Sequence, residues 1–146
     1  MEIPYILTRP GAKAPAYATP GAAAADLCAA LDAPLTLAPG QRAIIPTGVA
    51  VQLPGPQWVA LLCARSGLAV KRGLTLSNGV GVIDSDYRGE IGVGVVNLGE
   101  EPVTVEPGER VAQLMILPVA QAAFVQAQSL DETDRGAGGF GSTGRL

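Results

Sequence analysis

Asp84, Asp86 and Tyr87 lie within one short stretch between apolar runs, three groups able to take, give or orient a proton. In a strand, positions 84 and 86 face the same side, so one carboxylate can orient the other or raise its pKa. Val82 and Ile83 give Asp84 the apolar wall that keeps a general base selective. The same residues also read as an Asp-rich turn held by side-chain hydrogen bonds, and spacing alone does not choose between the two.

Two other stretches are suited to anions. Arg65, Ser66 and Gly67 follow an apolar run and open a short helical pattern, bringing together a guanidinium, a hydroxyl and free N–H groups. Ser66 as a plain N-cap is the simpler alternative. Residues 135–144 contain five glycines with Arg135, Phe140, Ser142 and Thr143. Such a segment stays mobile until a ligand orders it, because nothing local offsets about 1–2 kcal/mol of backbone entropy per residue. One aromatic among phosphate-seeking groups suggests a base to stack on and a phosphate chain to wrap. A tail without a role is the commoner reading of a glycine-rich end. Gln113, in an otherwise apolar strand, is a structural bridge or a ligand contact. Arg110 reads as a partner for one of the acids. Asp26 interrupts an alanine-rich run, so its carboxylate is either paired or used.

Composition removes several classes of chemistry. The chain has no histidine, so no His serves as base, triad member, metal ligand or pH switch. A net charge of −3 argues against a broad nucleic-acid or anionic-membrane surface, so a polyanion must meet a few focused arginines. Cys28 and Cys63 belong to no CxxC and read as reduced thiols in a cytoplasmic protein without a secretory segment. No protein-only metal cluster is visible; a divalent ion would be held mainly by phosphates and water.

The elements that position these groups are short. Twelve prolines and nineteen glycines punctuate 146 residues, leaving no room for long helices. Strand-like runs cover residues 42–53, 57–64, 89–98, 110–119 and 122–126, separated by Pro-Gly turns. Ile91, Val93, Val95 and Asn97 alternate with smaller residues at period two. Residues 78–90 read as a β-hairpin, 66–72 as a short helix with Gly73 as C-cap, and 22–30 as strand and loop. An all-β sandwich or jelly roll follows, with one domain at residues 1–128 and a polar arm at 129–146.

Taken in order, residues 23–27, 64–69, 78–90, 108–113 and 135–144 resemble the five motifs of the trimeric deoxyuridine triphosphatase (dUTP diphosphatase) family, nearly end to end. The resemblance implies a distorted, β-clip-like jelly roll, a homotrimer with active sites shared between subunits, and Mg²⁺-dependent hydrolysis of dUTP to dUMP and pyrophosphate. That activity keeps uracil out of DNA and supplies dUMP for thymidylate synthesis. It implies that Asp84 activates the water attacking the α-phosphorus. Asn78, Val82 and Ile83 would meet the uracil, Tyr87 the deoxyribose, and Phe140 would cover the base. Arg65, Ser66, Gly67, Gln113, Arg135, Ser142 and Thr143 would hold the phosphates, and Asp26 would reach the metal through water. The chain departs from the family pattern at Ala24, Ala64 and Arg72, where Gly, Pro and His are usual. The rival readings are a dCTP deaminase-like enzyme and a non-catalytic nucleotide-binding regulatory module on the same fold.

Overall fold

The structure, a computed structural model, describes residues 1–140. Ser142 and Thr143 lie outside them. Eleven strands and one helix follow in order among the described residues: β1 Tyr5–Leu7, β2 Ala25–Cys28, β3 Leu35–Leu37, β4 Arg42–Pro46, β5 Val49–Val51, β6 Trp58–Ala64, α1 Ser66–Arg72, β7 Leu74–Leu76, β8 Gly81–Ile83, β9 Gly92–Asn97, β10 Val103–Val105 and β11 Arg110–Pro118. This is the expected all-β jelly roll. Among the described residues no helix is long and apolar enough to cross a membrane.

All strand pairing is antiparallel. The largest sheet runs β2-β11-β6-β8, a second runs β4-β9-β7, and β1-β5 and β10-β3 form two-stranded ribbons. Inward residues of these layers, Leu27, Leu37, Ile45, Val93, Val95 and Val105, are fully buried and build one core. β9 keeps its alternation, with Val93, Val95 and Asn97 inside and Gly92, Gly94 and Val96 on the outer side. The helix ends as its sequence predicts: Gly73 takes φ 72° and donates its N–H to the Ala69 carbonyl.

Three expectations change. The run 42–53 is two strands broken at Thr47 and Gly48, whose sheets differ. Residues 78–90 are not a hairpin: β8 pairs with β6, whereas β9 pairs with β4 and β7. The connection crosses between two sheets, so Asp84 and Asp86 lie in a turn and not along a strand. Residues 122–126 form no strand, because no strand edge of this chain pairs with them, and Phe124 is almost wholly exposed.

Candidate active site

β8 ends at Ile83, and the chain turns at once, with the Tyr87 N–H donating to the Asp84 carbonyl at 3.2 Å. That turn and the start of β9 enclose a cavity of about 230 Å³. Asn78, Val82, Ile83, Asp84 and Tyr87 all line it, so five residues expected to act share one wall. Ile83 is buried, Val82 and Tyr87 are exposed, and Asp84 stands exposed at the rim. The exposed carboxylate is open to a water and to an approaching ligand.

Glu90 also lines this cavity. Its Oε1 accepts the Gly48 N–H at 3.0 Å; its Oε2 accepts the Thr8 hydroxyl at 3.1 Å and the Arg9 guanidinium at 3.1–3.2 Å. Burial pushes its pKa up, but the Gly48 N–H, Thr8 and Arg9 outweigh that, so the net shift is below the ordinary glutamate value. Sequence reading missed this role, since Thr8 and Arg9 lie about eighty positions away. The only local signal was an acid directly after a turn glycine.

A second cluster is built on the largest sheet. Asp26 on β2 pairs across β11 with Gln113, and Arg65 follows the end of β6, the next strand over. Asp26 is only 5% exposed, and both its oxygens are engaged. Oδ1 accepts from Arg65 Nε at 3.1 Å and Gln113 Nε2 at 3.3 Å; Oδ2 accepts from Arg110 at 2.9 Å. Arg65 also donates to the Arg110 carbonyl at 3.2 Å. The isolated acid is thus paired, and Arg110 is one of its partners. At the helix start, Arg65 takes the N-cap position without a side-chain cap bond, so Ser66 is the first helical residue and not the cap. Ser66 and Gly67 are exposed there, in the turn whose N–H groups a helix leaves unpaired.

The other end of α1 is pinned too. Arg72 donates to Glu109 Oε1 at 2.7 Å and to the Thr104 carbonyl. Arg65 and Arg72 therefore fasten both ends of the helix to the 104–110 stretch.

The two clusters do not meet within one chain. Ile83 sits opposite Ala60, and Arg65 lies five residues further along β6, about 17 Å at about 3.4 Å per residue. Asp84 continues in the opposite direction. The described residues of the arm stand apart from both. Arg135 Nε donates to the Gly138 carbonyl at 2.9 Å, and Phe140 is fully exposed and does not line the cavity. A larger recess of about 710 Å³, between the second half of α1 and residues 98–103, holds none of the residues expected to act. Among the described residues no group of three or more His, Cys, Asp or Glu could hold a metal.

A nucleoside-sized cavity with a carboxylate at its rim, and a separate cluster of arginine, amide and helix start, match the pattern of a jelly-roll nucleotide hydrolase. A model of the dUTPase family matches residues 11–144. The deoxyuridine 5'-triphosphate nucleotidohydrolase of Desulfitobacterium hafniense (strain DSM 10664 / DCB-2) is 57% identical over 144 residues, covering 99% of this chain and 95% of the relative. That of Aeromonas hydrophila is 53% identical over 131 residues, 90% of this chain and 86% of the relative. Among solved structures, Staphylococcus bacteriophage 80alpha dUTPase with dUPNHPP superposes with a TM-score of 0.90 at 28% identity, covering 98% of each chain. The chain belongs to the dUTPase family.

Proposed function

We propose that this chain is a dUTP diphosphatase, hydrolysing dUTP to dUMP and pyrophosphate. The observation that carries the reading is the single wall on which Asn78, Asp84 and Tyr87 meet, in a chain matched over residues 11–144 by that family. The deaminase alternative finds no support among relatives named as nucleotidohydrolases.

Asp84 takes a proton from a water whose oxygen bonds to the α-phosphorus. The bond from that phosphorus to the bridging oxygen breaks, and pyrophosphate leaves. General-base help is worth about 10²–10⁴-fold, so most of the acceleration comes from positioning and charge stabilisation. Arg65, the first-turn N–H groups at Ser66 and Gly67, and Gln113 bind phosphate oxygens. Arg135, Ser142 and Thr143 join them from the arm, residues 129–146, while Phe140 covers the base and closure excludes water. Asn78 with the main chain near Val82 and Ile83 reads the uracil edge, and Tyr87 packs against the deoxyribose.

The donor set suits Mg²⁺ held chiefly by the triphosphate and its waters. Asp26, with both oxygens already accepting from guanidinium groups, reaches a cation only through water. When bound, the ion neutralises charge on the phosphate oxygens. The run of about 17 Å along the chain between Arg65 and Ala60, the residue opposite Ile83, with Asp84 continuing the other way, supports a homotrimer in which different copies supply the two clusters and the arm. A cytoplasmic location fits the free thiols of Cys28 and Cys63.

The test is incubation with dUTP, dCTP, dTTP and UTP in Mg²⁺, with products separated by chromatography. Release of dUMP and pyrophosphate from dUTP alone is expected. Asp84→Asn should keep affinity for a non-hydrolysable analogue and lose at least about 10²-fold in kcat; full turnover in that variant removes Asp84 as the base.

A further inference from the structure

Tyr87 is held from two sides. Its hydroxyl donates to the main-chain oxygen of Glu90 at 3.0 Å. Its ring lies so close over Gly89 that a Cβ built there would come within 2.6 Å of Cζ and 3.0 Å of Cε2. Gly89 is outside the left-handed region, so a Cβ here would be opposed only by the far end of the Tyr87 side chain, which would have to move aside to admit it. The acceptor itself is anchored. Glu90 is latched through its carboxylate to Gly48, Thr8 and Arg9, and the next N–H, that of Ile91, donates to the Val49 carbonyl at 2.8 Å.

A ring rejects an extra group on its ligand only when it cannot retreat. A ring free to swing accommodates the group and discriminates weakly. We infer that Gly89 and Glu90 are specificity-determining positioning residues: they fix the height of the Tyr87 ring, and thereby exclude a ribose 2'-hydroxyl while admitting a 2'-deoxy carbon. This deepens the dUTP reading of the cavity and rests on it. Gly89 does not line the cavity, and the carboxylate of Glu90 is taken up by Gly48, Thr8 and Arg9. Their effect therefore falls on the choice between two substrates that share base, triphosphate and chemistry.

The experiment measures kcat/KM for dUTP and for UTP in the full chain, in Gly89→Ala, in Tyr87→Ala and in the double variant. Gly89→Ala should lower the dUTP:UTP ratio about ten-fold or more, within the roughly 10–200-fold that steric rejection of one small group supplies. Adding Gly89→Ala to Tyr87→Ala should change the ratio no further, because the ring through which it acts is gone. Tyr87→Phe, which keeps the ring and loses the tether, should lower the ratio in the same direction by a smaller factor. It carries the decision if circular dichroism shows Gly89→Ala unfolded. A ratio unchanged in Gly89→Ala, or additive loss in the double variant, overturns the inference while leaving dUTP hydrolysis standing. Failure of the parent chain to hydrolyse dUTP overturns both.

Discussion

Asp26→Asn separates organising the arginines from meeting the metal. The carboxylate is 5% exposed and gives one oxygen to Arg65 and Gln113 and the other to Arg110. An amide offers one acceptor and one donor, so one side of this arrangement must face an N–H. The arginines are not equally trapped: side-chain exposure is 52% for Arg110 and 24% for Arg65. The amide oxygen therefore stays with Arg65 and Gln113, and Arg110 turns into water. Breaking a fully buried pair costs about 3–5 kcal/mol. Here Arg110 is readily rehydrated, and Arg65 keeps a neutral acceptor in place of a charged one, which brings the loss to about 2–3 kcal/mol. For a chain of this size that lowers Tm by about 5–10 °C. Calorimetry at pH 7.5 reads it, with both proteins at equal concentration because the proposed assembly would make Tm depend on concentration. In the same samples KM for dUTP rises, since Arg65 loses the charge that aims it. The half-saturating Mg²⁺ concentration is the separate readout: it rises only if Asp26 acts on the metal's waters. A variant that melts within about 2 °C of the parent, with KM unaltered, refutes Asp26 as organiser of the anion site.

Glu90 gives a pH prediction. Its folded pKa is lowered from 4.5, so its stabilisation is complete above the unfolded value and is lost as pH falls through the folded one. The difference in urea midpoint between the parent and Glu90→Gln should be present at pH 7 and shrink below about pH 4.5; a constant difference down to pH 3 contradicts the latch. Asn97 gives a core prediction. It is fully buried, donates to the Leu37 and Glu101 carbonyls at 3.0 and 2.8 Å, and accepts the Gly99 N–H at 2.9 Å. Asn97→Leu strands all three main-chain groups, at about 1–3 kcal/mol each, so thermal melting should fall by at least about 10 °C. A stable leucine variant would show that those groups find other partners.

The helix at Ser66–Arg72 was legible because its stop signal is local: a glycine where the chain must enter the left-handed region. The segment 78–90 was not legible as a crossing. Alternation reports that two strands each bury one face, but not which neighbours they hydrogen-bond. β8 and β9, adjacent in sequence, belong to different sheets. Residues 122–126 show the converse, an apolar run that meets no strand edge of its own chain. At the candidate site, residue types pointed to Asp84 and Tyr87 directly, because their chemistry is unusual among glycines and valines. Glu90 stayed hidden because what distinguishes it is its partners, and those come from the residues just after β1 and from the break after β4.

The buried polar residues explain how so short-stranded a fold holds its chemistry still. Among the described residues they are Asp26, Thr47 and Asn97, and each lies where separate segments must be joined. Asp26 ties β2 to β11 and to the residue after β6. Thr47, at the break between β4 and β5, donates to the Ile91 carbonyl at 2.7 Å and accepts the Val49 N–H at 3.2 Å. Asn97 links β9 to β3 and to the turn leading into β10. Ile91 lines the Asp84 cavity, so Thr47 does for that cavity what Asp26 does for the arginine cluster. Apolar packing alone tolerates small slides of one layer over another, because dispersion has little directionality. A hydrogen bond that must be made or left orphaned does not. Placing such bonds where chain segments pass between sheets fixes the two clusters against the core with no helix longer than α1 and no disulfide among the described residues.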